Sequence, residues 1–120
     1  TARAAAIDKI TPEDLRPASP QAEATLQDLL AKRSLPKDPT SAPMLVLYGG
    51  QDTLLLPDWT NKALSAACRL GDVIDIMFQP TKGHADIDVA VSYDWIKDRF
   101  DGVPAPNSCP SFNSTQGAGQ

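Results

Sequence analysis

Two residues of this chain have the type and placement needed for proton transfer. Asp52 follows Gly49-Gly50-Gln51, and His84, the chain's single histidine, follows Gly83. An imidazole titrates near neutral pH and can take the proton of an attacking hydroxyl, which makes it the usual general base in nucleophilic hydrolysis. It works best with a carboxylate on its other ring nitrogen, which fixes the tautomer and stabilises the imidazolium. Plainer roles stand beside these. An Asp after glycines commonly bonds its own turn, and His84 could be a loop residue or a cap on the helix that follows.

The flanking elements decide whether the two can meet. Met44-Leu45-Val46-Leu47-Tyr48 is an apolar run stopped by Gly49-Gly50, and Val73 to Phe78 is a second run stopped by Pro80. The first shows no polar alternation, as expected of a strand covered on both faces. Asp75 interrupts the second and predicts a strand with one face partly exposed, at or near a sheet edge. Between the runs, Asp58 to Leu70 has a helical repeat. Asp58 is the expected N-cap, Gly71 the terminator, and Trp59, Ala63, Ala66, Ala67 and Leu70 the inner stripe. Strand–helix–strand at this length predicts two neighbouring parallel strands, so the fold class is α/β. Asp52 and His84 then both lie just past the C-terminal strand ends, the edge where open α/β sheets build their sites.

The remaining segments are simpler. Thr11-Pro12-Glu13-Asp14 is a helix start, cut short by Pro17. Ser19-Pro20 opens a longer helix to about Arg33, with Ala22, Leu26, Leu29, Leu30 and Arg33 on one stripe. Residues 34 to 43 hold three prolines without periodicity and read as a linker. Leu54-Leu55-Leu56 is an apolar loop segment of the kind that is covered or lines a pocket. A last helix is expected from about Ala85 to Phe100, with Ile87, Val91 and Trp95 on one stripe, Ile96 and Phe100 beside it, and Asp86 and Asp88 in its first turn. From Val103 the chain is rich in Pro, Ser, Asn and Gly, and disorder is expected after about Cys109. Asn113-Ser114-Thr115 fits a glycosylation sequon, a triplet that also arises by chance.

Bulk properties narrow the function classes. The 120 residues suit one small domain, and 42% apolar with 22% charged residues fits a folded chain. A net charge of −4 without a Lys/Arg cluster argues against nucleic acid or an anionic membrane surface as partner. No apolar run approaches the roughly 20 residues of a membrane-spanning helix, and no signal peptide is seen. One histidine, no cysteine cluster and scattered carboxylates speak against a metal site. Gly49-Gly50 lacks the spacing and Lys of a phosphate loop. Two cysteines, Cys68 and Cys109, are compatible with one disulfide and an oxidising compartment. The chain begins at Thr1 rather than Met and is read as a processed or excised piece.

An Asp and then a His, each after a strand, is the chain order of the second and third members of an α/β-hydrolase triad. The nucleophile elbow G-x-S-x-G occurs nowhere in the sequence. Pro43 to Asp52, Ala67-Cys68, Gly71-Asp72 and Lys82-Gly83-His84-Ala85-Asp86 resemble the C-terminal part of an α/β-hydrolase. Together with Trp95-Ile96, Asp98-Arg99-Phe100 and Pro104 to Cys109, they are similar to the secretory lipase family, the group of Candida antarctica lipase A and its actinobacterial relatives. The resemblance covers about residues 40 to 109. It implies Asp52 as triad acid, His84 as general base and a Cys68–Cys109 disulfide. Residues 1–35 would be the end of a cap region, 36–102 the segment with the Asp and His loops, and 103–120 a tail.

The expected function is therefore the C-terminal portion of a secreted or cell-envelope serine ester hydrolase, a lipase or esterase without metal or organic cofactor. Its substrate would be an acyl ester or lipid, with Leu54, Leu55 and Leu56 as candidate acyl contacts. Its serine would come from the rest of the hydrolase domain, and this piece alone should be inactive. A serine peptidase or other acyl hydrolase of the same fold shares these loops. A non-catalytic α/β binding module is the alternative of another class. Two parallel strands with so few helices cannot cover both sheet faces, so self-association or marginal stability is expected of the isolated chain.

Overall fold

The computed structural model describes residue 7 and residues 9–112. The chain divides into two compact units, Thr1–Ser34 and Leu35–Gln120.

In the first unit, Pro12–Leu15 forms a single 3-10 turn. Asp14 accepts both the backbone N–H and the hydroxyl of Thr11 at 2.8 Å, and these bonds hold the Asp14 carboxyl below its ordinary pKa. Helix α1 spans Pro20–Arg33, with the Ser19 side chain accepting the Ala22 N–H at 3.1 Å. The cap and the proline at the first turn start it as the sequence predicts. Its leucine stripe stays open: Leu26, Leu29 and Leu30 are all exposed.

The second unit carries the parallel pair. Strand β1 (Met44–Gly49) and strand β2 (Ile74–Gln79) pair in parallel, with Met44 opposite Ile74 and Gly49 opposite Gln79. Helix α2 (Pro57–Leu70) is the crossover between them. It ends on Gly71 at φ 96°, a left-handed conformation that glycine adopts without strain. Helix α3 spans Val91–Phe100. The core is small: Leu64, Ala67 and Cys68 of α2, Ile74 of β2 and Cys109. The Cys68–Cys109 disulfide is formed.

Two further ties fix the strand ends. Buried Asp72, just after α2, accepts the Thr40 backbone N–H at 2.6 Å and its hydroxyl at 3.1 Å, anchoring the linker that feeds β1. Ser108 donates its N–H to the Ile74 carbonyl at 2.7 Å and accepts the Ile76 N–H on its hydroxyl at 3.0 Å. The outer edge of β2 is thus occupied by the tail.

Several expectations need correction. Leu56, not Asp58, is the N-cap of α2, because Pro57 takes the first helical position; Asp58 lies in the first turn. The inner face of α2 is Leu64, Ala67 and Cys68, while Trp59, Ala63 and Leu70 are exposed. Asp75 is buried at 8% exposure and does not mark an open face. Helix α3 begins at Val91 rather than Ala85, since residues 85–90 are held in loop bonds described below. Residues 109–112 are helical. The expected disordered stretch beyond them, and the Asn113 sequon, lie outside the described residues.

Candidate active site

The ends of β1 and β2 bring their loops into direct backbone contact. Gly50 donates its N–H to the Gln79 carbonyl at 2.9 Å, and Gln51 donates to Lys82 at 2.8 Å. The ladder therefore continues past the strands and carries the acid loop alongside the histidine loop. Neither Gly49 nor Gly50 has a positive φ. What they supply is room. A Cβ on Gly50 would lie 2.5 Å from the Pro80 carbonyl oxygen, and one on Gly49 would strike Lys82.

Asp52 leaves this contact and turns back on itself. Its Oδ1 accepts the N–H groups of Leu54 at 2.9 Å and Leu55 at 2.8 Å. Its Oδ2 lies 3.0 Å from His84 Nδ1. The turn-aspartate role and the histidine-partner role are both present, one on each oxygen. The Asp52 side chain is 10% exposed and that of His84 49%. Burial pushes the Asp52 carboxyl upward, but the Leu55 N–H, the His84 ring and the Leu54 N–H together outweigh it. Its pKa lies below the ordinary 3.8.

A carboxylate can only accept, so the neutral His84 ring carries its proton on Nδ1. Nε2 then presents a lone pair, with no hydrogen-bond partner among the described residues. A half-exposed base, oriented from behind by a sheltered carboxylate, can take a proton from an oxygen or nitrogen placed before Nε2. The described residues put no serine in a hydrogen bond with His84.

The histidine loop is held by Asp86 and Asp88, in bonds that differ from the helix-turn role their sequence positions predict, and by Gln79, which the sequence did not single out. Asp86 Oδ1 accepts the Gly83 N–H at 2.6 Å, one residue before His84. Gln79 closes the base of the loop with its carboxamide. It donates Nε2–H to the Asp88 carbonyl at 2.8 Å and accepts the Asp88 N–H on Oε1 at 2.9 Å. Asp88 Oδ1 in turn takes the Ala90 N–H at 2.9 Å, just ahead of α3. These bonds hold residues 85–90 out of the helix. Asp86 serves the histidine turn, not a helix terminus. The polar Gln79 at the end of an apolar strand was the available clue.

Of the three leucines, Leu55 lines an apolar groove of about 430 Å³ within the second unit, together with Met44, Val46, Trp59, Ala63 and Leu64. Leu54 and Leu56 are exposed and do not line it. No family model, curated protein or solved structure matches the chain.

Proposed function

We propose that this chain supplies the acid and base of a serine ester hydrolase of the α/β-hydrolase type, in the manner of a secretory lipase or esterase. The Asp52 Oδ2 to His84 Nδ1 contact at 3.0 Å, with Nε2 left facing outward, carries this reading. The chain order of acid and base, each following a parallel strand, supports it as well.

In this reading a serine hydroxyl outside these 120 residues lies before His84 Nε2. As the hydroxyl oxygen attacks the acyl carbon, its proton passes to Nε2. The imidazolium is then held by the Asp52 carboxylate, which stays ionised. The same proton goes to the leaving alcohol when the ester C–O bond breaks. Water repeats the sequence to release the acid and restore the serine. Asp52 cannot rotate freely, because its other oxygen is bound to Leu54 and Leu55, so the ring keeps one orientation through both half-reactions.

The test uses the polypeptide that joins these residues to an upstream G-x-S-x-G segment, assayed on short-chain and long-chain aryl esters and on a peptide substrate. Ester turnover should be lost in His84→Ala with the fold retained, and the 120-residue chain alone should show none. Undiminished ester hydrolysis in His84→Ala would overturn the assignment, and turnover of the peptide alone would move it to the peptidases.

A further inference from the structure

The histidine loop has well-bonded ends and a sparse middle. At one end the backbone of Lys82 is bonded to Gln51 and Gln79, and at the other the Gln79 side chain bonds Asp88 twice. Between them, residues 83–87 make two hydrogen bonds among the described residues. One is the His84 Nδ1 contact with Asp52, and the other runs from the Gly83 N–H to Asp86 Oδ1. The backbone N–H and carbonyl of His84 have no partner among the described residues. Asp86 therefore supplies the one polar restraint on His84 that does not pass through Asp52.

That restraint bears on the ring. A single bond at Nδ1 fixes one atom and leaves the half-exposed imidazole free to swing about it. Where Nε2 points then depends on where the His84 backbone is held. Gly83 lies close to both the Asp86 carboxylate and the acid loop: a Cβ on it would be 3.3 Å from Asp86 Oδ1 and 3.5 Å from the Gln51 carbonyl oxygen. Its bond to Asp86 has a charged acceptor and belongs to the stronger, charge-assisted class. Helix α3 makes no claim on that carboxylate. It begins at Val91, and the carboxylate bond just ahead of it runs from Ala90 to Asp88.

We propose that Asp86 is a positioning residue: through the Gly83 N–H it holds the His84 backbone, so that Nε2 keeps one approach to the hydroxyl it deprotonates. Asp52 and Asp86 then divide the work. Asp52 sets the tautomer of the ring, and Asp86 sets its placement. Proton transfer requires the base within hydrogen-bond reach and in line, so a ring that keeps its carboxylate but loses its aim is slowed in turnover rather than in substrate binding. This kinetic consequence rests on the hydrolase reading above, whereas the restraint on His84 does not.

The test compares wild type, Asp86→Ala and Asp86→Asn, first as the intact 120-residue chain by amide exchange and ¹⁵N relaxation. In Asp86→Ala the Gly83 amide should exchange about tenfold faster or more, and the His84 ring should lose order while its proton stays on Nδ1. Asp86→Asn keeps an acceptor oxygen and should recover most of both. In the polypeptide that carries the upstream serine segment, Asp86→Ala should lower kcat about tenfold or more with KM unchanged. A merely structural role would shift thermal stability and leave ring order and kcat alone. Unchanged Gly83 exchange and ring order in Asp86→Ala would overturn the proposal, as would an undiminished kcat or an Asn variant as impaired as the Ala one. So would a Gly83 amide that exchanges in wild type as fast as an unprotected one, a measurement that decides even if Asp86→Ala fails to fold. If wild type hydrolyses no ester, the hydrolase reading falls, and exchange and relaxation still decide the role of Asp86.

Discussion

A Cβ built on Gly49 would lie 2.2 Å from the carbonyl oxygen of Lys82, so the backbones of the acid loop and the histidine loop meet with nothing between them. The closeness of Asp52 to His84 follows from this contact, through Gln51 on one side and Gly83 on the other.

Gly49→Ala should therefore separate the loops. The obstructing atom is backbone and cannot swing aside, so the cost should resemble core overpacking, about 1–3 kcal/mol. Thermal unfolding measures the loss. The Nδ1 proton resonance of His84 should disappear or move with it, and an unchanged resonance would show that the contact has another cause.

Asp52→Asn should reverse the imidazole tautomer. An asparagine oxygen can still accept the N–H groups of Leu54 and Leu55, leaving its NH₂ to donate toward Nδ1. The ring proton then moves to Nε2, and the outward lone pair is lost. A long-range ¹⁵N–¹H spectrum reads this directly, since the chain has one histidine.

Acid titration should single out the same carboxyl. Asp52 is held below 3.8 in the folded chain, so its stabilisation is present above that value and is lost as pH falls through the lower native one. Wild type should thus lose more stability than Asp52→Asn as pH drops below about 4. The depressed Asp14 carboxyl, in the other unit, remains in both chains and cancels. Parallel acid curves for the two chains would contradict this.

Gln79→Ala should free the base of the histidine loop without touching His84. Both bonds to Asp88 are lost, so amide exchange over residues 83–90 should rise and the His84 Nδ1 proton should broaden. Gln79→Glu keeps the acceptor for the Asp88 N–H and should recover part of the order. Equal spectra for wild type and Gln79→Ala would remove Gln79 as a positioning residue.

Reduction of Cys68–Cys109 should cost about 4 kcal/mol on the chain-entropy estimate for a separation of 41 residues. It should also release Ser108 from β2. Faster exchange at the Ile76 amide, beyond the global loss of stability, is the expected sign.

Sequence pattern carried the strand–helix–strand unit well, because Met44 to Tyr48 and Val73 to Phe78 are apolar runs with clear stops and Gly71 is a clean terminator. It also placed Asp52 and His84 at neighbouring strand ends. Periodicity failed where it had to say what covers a face. Trp59 and Ala63 share a stripe, yet only Leu64, Ala67 and Cys68 find a partner, and Asp75 is buried despite its charge. The start of α3 was misplaced for a different reason. Asp86 and Asp88 have the composition of a helix first turn, but Gly83 and Gln79 claim their bonds from across the loop. Such non-local bonds leave no periodic trace.

The divided carboxylate of Asp52 has a bearing on protein engineering. One oxygen is committed to a hook formed by the amides of Leu54 and Leu55, and only the other reaches the ring. Grafting an aspartate alone onto a foreign scaffold would leave it free to rotate away from its imidazole. The smallest transplantable part is the whole hook, Asp52 through Leu55, together with the two glycines that let it sit low against its neighbour.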